Sequence, residues 1–134
     1  QVVSSAVIGR SHVDEQNVIS LRFPGGILAD ISSAVSADTG DDAIIAGDRG
    51  RIFVPTFWKA DKVERYDTNG QLVETYYLPH KKNGYEYEAE EVNRCLREGR
   101  TESNIHPLSS TLDVMKIMDQ IRNQWGLKYP QEIL

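Results

Sequence analysis

Few residues of this chain have types and spacings that could carry out chemistry. The three histidines, His12, His80 and His106, lie far apart, and neither a His-Glu-x-x-His nor a Cys-x-x-Cys spacing is present, so no metal site is predicted. The single cysteine, Cys95, falls on the apolar stripe of a predicted helix, where an inert buried thiol is expected. No serine lies in a Gly-x-Ser-x-Gly elbow, which argues against a nucleophilic triad.

Phosphate-binding and paired-carboxylate chemistry are not predicted either. The stretch Gly-Asp-Arg-Gly at residues 47–50 precedes strand-forming residues rather than a helix, so it is neither a P-loop nor a dinucleotide fingerprint. The glutamates at residues 86–91 fall on one predicted helix, where a solvated face is expected in preference to a catalytic dyad. The chain is therefore predicted to hold no catalytic apparatus of its own.

Two stretches combine aromatic and polar side chains. Residues 42–58 contain two short apolar runs around the turn at 47–50, followed by Pro55 and the pair Phe57-Trp58. Because proline has no backbone N–H, the second strand should end there, which places the aromatic pair at a sheet end, as a cap of the core or as the wall of a pocket. Residues 80–85, His-Lys-Lys-Asn-Gly-Tyr, enter a helix. Polar groups that converge beside aromatic rings are typical of a ligand pocket.

Length and composition limit the classes of function. The chain has 134 residues, 40% of them hydrophobic, and a net charge of −5, which predicts a single globular domain over residues 1–134. The longest basic cluster is Lys81-Lys82, so nucleic acid is not an expected partner. No run approaches the roughly 20 apolar residues that cross a bilayer, so no membrane partner is expected. One cysteine suits a reducing compartment, and we expect a cytoplasmic protein.

The elements that must position these residues follow from hydrophobic periodicity. Alternation and turn residues predict seven strands, at residues 2–8, 18–23, 27–35, 43–46, 52–54, 62–66 and 71–77. Pro24-Gly25-Gly26 and Asn69-Gly70 are hairpin signals, and short connections imply antiparallel neighbours. Residues 9–17 are predicted to form a loop. The predicted fold is α+β, an open and predominantly antiparallel sheet with two C-terminal helices packed on one face.

After residue 83 the period changes from two to that of a helix. Asn83 is a candidate N-cap with Glu86 returning the bond as a capping box, and Gly99 should end this helix. Its predicted apolar stripe comprises Tyr85, Ala89, Val92, Cys95 and Leu96. A second helix is predicted from residue 109 or 110 to Gly126, with a tail from residue 129, and its stripe comprises Leu112, Met115, Met118, Ile121 and Trp125. The sheet face away from the helices is mixed in polarity and suits packing on another domain or a second copy.

An ordered series of short stretches resembles the C-terminal domain of the Gfo/Idh/MocA oxidoreductases, and most closely their dihydrodiol dehydrogenase-like branch. The series covers residues 18–130 and comprises Phe-Pro-Gly-Gly at 23–26, Ile-Ile-Ala-Gly-Asp-Arg-Gly-Arg-Ile at 44–52, Pro-Thr-Phe-Trp at 55–58, Gly-Tyr-Glu-Tyr-Glu at 84–88, Cys-Leu-Arg-Glu-Gly at 95–99 and His-Pro-Leu at 106–108. The family's catalytic Glu-Lys-Pro motif and its nucleotide-binding fingerprint are missing from these residues.

The resemblance implies a substrate-side and oligomerisation domain of a longer enzyme. The parent would transfer hydride between NAD or NADP and a hydroxyl or carbonyl carbon of a sugar, polyol or diol, and its own N-terminal Rossmann domain would hold the cofactor. The chain alone is then expected to be inactive and to bind no dinucleotide. Trp58, with Asn83 and Tyr85, would line the substrate side of the cleft. Self-association through the open sheet face is also implied.

Two other readings of the residues remain open. In one, the chain is a non-catalytic module whose sheet face holds a protein partner. In the other, it is a small open-sheet enzyme that depends on His80 or on a carboxylate of the first helix.

Overall fold

The computed structural model describes residues 1–129, with seven strands, one short 3₁₀ turn and two α-helices. The strands are β1 Val2–Ile8, β2 Asp14–Arg22, β3 Leu28–Ala34, β4 Ala43–Gly47, β5 Gly50–Val54, β6 Lys62–Tyr66 and β7 Leu72–Tyr77. The helices are α1 Tyr85–Arg97 and α2 Leu108–Trp125, and the 3₁₀ turn is Pro24–Gly26. Residues 130–134 of the predicted tail, which begins at residue 129, lie outside the described residues.

The described chain divides into two compact units, each with one antiparallel sheet and one helix. In the first unit, residues 1–39 and those from 102 onward, the sheet order is β1-β2-β3 and helix α2 packs against β1. Gln124 of α2 fixes this contact, since its side chain donates to the carbonyl oxygen of Val2 at 2.9 Å and accepts from the Ser4 hydroxyl at 2.6 Å. Ile121, on the same part of the helix, is buried.

The second unit, residues 40–101, carries the two stretches that the sequence singled out. Its sheet order is β4-β5-β6-β7, so the chain meanders through three consecutive antiparallel pairs. The β4–β5 pair is in register from Ala43↔Val54 to Gly47↔Gly50, which closes the hairpin at Asp48-Arg49. Helix α1 follows the last strand after a loop. This order brings the ends of β5 and β7 to the segments 55–59 and 78–84, where the candidate site lies.

The α+β class, the antiparallel pairing and the number of strands and helices are confirmed. Strand β6 has the predicted bounds, and the Asn69-Gly70 turn joins β6 to β7 with Gly70 at φ +78°. The strands form two hydrogen-bonded sheets, where the sequence suggested one open sheet. The division falls in the stretch 35–42, a polar connection between β3 and β4 in which Gly40 leaves the extended conformation at φ +73°. That residues 1–134 behave as one domain stays a prediction.

Three local expectations are wrong. Residues 14–17, expected in a loop, begin strand β2, because the backbone pairs with β1 and β3 and the Asn17 side chain is held by Asp14 and Ser33 at 2.8 Å each. The N-cap position of α1 is Gly84, at φ +95°, rather than Asn83. The predicted helical stripes are only partly buried, since Cys95 and Ile121 are buried but Leu96 is 69% exposed.

The expectation of an inert thiol at Cys95 agrees with its surroundings. Loss of solvent contact raises the pKa of this thiol, and a contact with the Glu91 carboxylate adds to the effect. No helix among the described residues is long and apolar enough to cross a membrane.

Candidate functional site

The first part of the candidate site is the aromatic turn, residues 55–59, which follows directly on β5. The turn closes on itself, because the carbonyl oxygen of Thr56 accepts from the N–H groups of Lys59 at 2.8 Å and Ala60 at 3.1 Å. Thr56 has φ +48°, a left-handed conformation that a β-branched residue rarely adopts. Backbone strain of this kind persists only where surrounding bonds hold it and is concentrated at functional sites. The turn is therefore a fixed feature and not a loose connection.

The bonds that hold the aromatic turn come from Asp41 and Asp42, immediately before β4. The Thr56 N–H donates to the Asp42 carboxylate at 3.3 Å, and the Phe57 N–H donates to the carbonyl oxygen of Asp41 at 2.7 Å. The indole Nε1–H of Trp58 donates to the Asp41 carboxylate at 3.2 Å. Three consecutive residues of the turn thus bond to two consecutive aspartates.

The second part is the entry loop, residues 79–84, which leads into α1. The Glu86 carboxylate accepts from three backbone N–H groups of this loop, those of Lys82 at 2.8 Å, Asn83 at 3.3 Å and Gly84 at 2.9 Å. In return, the Asn83 side-chain oxygen accepts from the N–H of Tyr85 at 3.2 Å. The reciprocal bonding expected of a capping box is therefore present, although the N-cap lies one residue later than expected.

The Glu86 carboxylate is stabilised in its charged form by these bonds. A hydrogen bond from its own backbone N–H lowers the pKa of Glu86 most, partial loss of solvent opposes this, and the N–H groups of Lys82, Asn83 and Gly84 lower the pKa further. The carboxylate also lies in the first turn of α1, where the positive end of the helix dipole favours a negative charge. An ionised Glu86 therefore holds the entry loop in shape at neutral pH.

His80 joins the two parts of the site. A carbonyl oxygen can only accept, so the 2.5 Å contact between His80 Nε2 and Lys59 O is a hydrogen bond donated by the imidazole. The other ring nitrogen, Nδ1, is buried without a hydrogen-bond partner in the described structure. It lies beside Gly84, where an added Cβ would come within 3.4 Å of it. The ring also lies 6.0 Å from that of Tyr87, so His80 is packed between the aromatic turn and the start of α1.

The three predicted substrate-binding residues are all accessible. Trp58 is 67% exposed and Tyr85 is 71% exposed, and Asn83 is exposed as well. At this exposure Trp58 does not cap the core of its unit. The hydrogen bond between His80 and Lys59 joins the segment that carries Trp58 to the segment that carries Asn83. These two residues are 25 positions apart in the sequence. Their contact with a substrate stays a prediction.

Sequence reasoning missed one member of this arrangement and the contact of another. It gives Asp41 no role, and it places His80 among the polar residues 80–85 without a partner. A carboxylate that comes 17 residues before an indole carries no periodic signal, because the contact depends on the full length of the β4–β5 hairpin. The hairpin signal itself could have indicated that Asp41 lies near the aromatic turn, since continuing the register beyond Ala43↔Val54 places residues 41–42 opposite residues 55–56.

An open concavity of about 390 Å³ lies at the other end of the same hairpin, away from the aromatic turn. Arg49, Arg51, Arg65 and Tyr66 contribute to its lining. Arg51 stacks on Tyr66 at 4.7 Å and Arg65 pairs with Glu74 at 3.5 Å, so two of its three guanidinium groups already have partners. We assign no site to it, because an open hairpin end with paired charges does not define a ligand.

The described residues do not fit a nicotinamide dinucleotide or a metal ion. The glycine-rich turn at 47–50 joins two strands, and it has no helix N-terminus on which a pyrophosphate could rest. Among residues 1–129, no group of three or more His, Cys, Asp or Glu side chains could hold a metal ion. The arrangement can orient aromatic and amide groups towards a ligand.

Known proteins are similar in sequence to this chain over almost its entire length. The chain is 34% identical over 142 aligned positions to trans-1,2-dihydrobenzene-1,2-diol dehydrogenase of Danio rerio, covering 98% of this chain and 41% of the relative. It is 27% identical over 139 positions to the human enzyme of the same name, covering 95% and 40%. It is 30% identical over 122 positions to scyllo-inositol 2-dehydrogenase (NADP(+)) IolU of Bacillus subtilis, covering 91% and 37%.

No protein-family model matches the chain. The chain spans about two fifths of the length of the curated relatives that it matches. Similarity to dehydrogenases of a cyclic diol and of a cyclic polyol is in keeping with the resemblance drawn from the sequence.

Proposed function

We propose that this chain is the substrate-side part of a dehydrogenase that acts on a hydroxyl or carbonyl group of a diol, polyol or sugar. The observation that carries the proposal is similarity over 91% to 98% of the chain to enzymes named for a dihydrobenzene diol and for an inositol. Both substrates carry neighbouring hydroxyl groups on a six-membered carbon ring. We further propose a cytoplasmic protein, on the composition argument from its single cysteine.

We propose that cofactor binding and substrate binding belong to different parts of the protein. The described residues do not fit a dinucleotide, so a preceding Rossmann domain of the same protein would bind NAD or NADP, which supplies hydride chemistry when bound. The name of the Bacillus relative includes NADP(+), in support of a phosphorylated cofactor as one option. This chain would bind and orient the substrate through Trp58, Asn83 and Tyr85. Isothermal titration should then detect no binding of NADPH to the chain alone, and micromolar binding would refute this division.

The aromatic turn and the entry loop are suited to a ring that carries hydroxyl groups. Trp58 offers a broad exposed face, and an aromatic contact contributes about 0.5–1.5 kcal/mol beyond the burial of surface. The Asn83 side-chain oxygen accepts from the N–H of Tyr85, which orients the amide group. Its NH₂ group can then donate to a substrate hydroxyl. Apolar contact with the ring face and a polar contact at its edge together define an orientation.

The direct test is Trp58→Ala in the full-length protein, assayed with NADP(+) or NAD and a panel of cyclic diols and polyols. We expect KM to rise about tenfold, which corresponds to about 1.4 kcal/mol, with a smaller change in kcat. Trp58→Phe is the matched variant. It keeps a flat aromatic ring but lacks the indole N–H that donates to Asp41, so its KM should lie between those of Trp58→Ala and the unaltered protein. Unchanged KM values for Trp58→Ala across the panel would exclude Trp58 from the substrate site.

A specific observation favours an additional role in self-association. One face of the first unit's sheet carries four exposed apolar side chains, Val3, Val7, Val18 and Leu28, at 57%, 59%, 52% and 66% exposure. The strand register places them among Ser, Ala and three polar or charged residues, which are Gln16, Arg22 and Asp30. Exposed apolar side chains that share one sheet face among polar residues mark a candidate interface. We propose that a second copy of the protein covers it. Docking of a different protein, as in a non-catalytic module, is the alternative, and sedimentation of the full-length protein distinguishes them.

A further inference from the structure

We infer that Asp41 is a positioning residue that fixes the orientation of the Trp58 ring and, through it, the substrate preference. The inference rests on the proposed function of the aromatic turn. Asp41 makes two bonds to consecutive residues, since its carbonyl oxygen accepts from Phe57 N–H at 2.7 Å and its carboxylate accepts from Trp58 Nε1–H at 3.2 Å. The first bond places the backbone of the turn, and the second sets the rotation of the indole.

An exposed tryptophan needs such a bond to present one defined face. Trp58 is 67% exposed, so packing covers only a minor part of its surface and leaves its side-chain torsions weakly restricted. The strained Thr56, whose N–H is held by the neighbouring Asp42 at 3.3 Å, fixes the backbone immediately before the ring. The Asp41 carboxylate then fixes the ring itself, which lowers the entropy cost of ordering it when a ligand binds.

The bond also decides which chemistry Trp58 can offer. Indole has one polar hydrogen and no acceptor, and this hydrogen is already donated to Asp41. Trp58 therefore has no donor left for a substrate hydroxyl and presents only the face of its ring. The ring of Trp58 therefore suits the face of a cyclic diol or polyol that carries C–H hydrogen atoms. Substrates whose hydroxyl groups all project from the opposite face should be preferred.

The test uses the full-length protein and four variants, Asp41→Ala, Asp41→Asn, Trp58→Phe and the double variant Asp41→Ala with Trp58→Phe. Asp41→Ala should raise KM about threefold to tenfold, the range expected for loss of one hydrogen bond, and should leave kcat within about twofold. Asp41→Asn keeps an acceptor oxygen and should retain most of the original KM. In the Trp58→Phe background, which has no indole N–H, Asp41→Ala should change KM no further. Asp48→Ala is the matched control, since it removes a turn carboxylate at the other end of the hairpin.

A second measurement keeps this test independent of activity. The indole N–H resonance of Trp58 in a ¹⁵N–¹H NMR spectrum of the full-length protein is assigned by its loss in Trp58→Phe. It should move, and exchange faster with water, in Asp41→Ala but not in Asp48→Ala. An unmoved resonance would overturn the role of Asp41, as would an equal rise in KM in the Trp58→Phe background.

The KM of Trp58→Ala distinguishes failure of the proposed function from failure of the inference about Asp41. If Trp58→Ala leaves all KM values unchanged, the turn is not a substrate site, and the assignment of substrate preference to Asp41 falls with it. The NMR comparison then still decides whether Asp41 holds the ring. A third outcome is that Asp41→Ala moves the resonance and Trp58→Ala raises KM, while Asp41→Ala leaves KM unchanged. Orientation of the ring is then irrelevant to substrate binding, and the inference is refuted.

Discussion

Gly50, at the start of β5, is a position where an added side chain would meet packed backbone. It has φ +128°, and an added Cβ would lie 2.0 Å from the carbonyl oxygen of Tyr66 and 3.0 Å from the backbone of Asp67. Ordinary contact begins at 3.4 Å, so the Tyr66 carbonyl would have to retreat by about 1.4 Å (3.4 less 2.0). That carbonyl belongs to the main chain of a strand paired with β5 at Arg51↔Tyr66, and it cannot move without disturbing the ladder.

The expected cost of Gly50→Ala has two parts. The left-handed backbone conformation is unfavourable for alanine by about 1–2 kcal/mol. Displacement of a packed backbone costs about 1–3 kcal/mol more, as overpacking does elsewhere. The free energy of unfolding should therefore fall by about 2–5 kcal/mol, a large share of the total stability of a domain of this size.

Gly70 supplies the matched control. It also has a positive φ, at +78°, but no atom lies within 4 Å of an added Cβ. Gly70→Ala should therefore cost only the conformational part, about 1–2 kcal/mol. Urea unfolding of the two variants and the unaltered chain measures the difference, with hydrogen exchange of residues 50–66 as a local check. Equal stability of the two variants would refute the argument from the close approach of Tyr66 to Gly50.

Two further predictions concern the entry loop and the open sheet face. Because the folded pKa of Glu86 is lowered, the stability that its carboxylate contributes is present above the ordinary carboxyl pKa and is lost as the pH falls through the lowered value. Glu86→Gln should remove this acid-side dependence in thermal unfolding between about pH 2 and 5, and a variant that keeps the full dependence would contradict it. Val18→Lys, on the central strand of the open sheet face of the first unit, should shift the full-length protein towards the monomer in sedimentation. Ile105→Lys, at a more exposed apolar position in a loop, should not, and dissociation by both variants or by neither would argue against that face as the interface.

Much of the fold could be predicted because its signals are local. Strand alternation, the Asn69-Gly70 turn and the glycines after each helix act within a few residues, and the structure has them at or near the predicted places. The strand at Asp14–Asn17 could not be predicted, because its residues are polar and its stability comes from pairing with both neighbouring strands. The exposure of the helical stripes likewise depends on what packs against them and not on their period.

In the candidate site too, some features depend on neighbouring residues in the sequence and others depend on tertiary contacts. The sequence by itself determined that Trp58 follows a proline at a strand end and that Asn83 and Tyr85 flank a helix start, since strand and helix boundaries depend on residues that are near in the chain. Only the tertiary structure decided that Asp41 holds the indole across 17 residues and that His80 ties the entry loop to Lys59 across 21. These contacts depend on the register of the hairpin and on the return of the chain after β7, and neither is encoded by the spacing of the residues that meet.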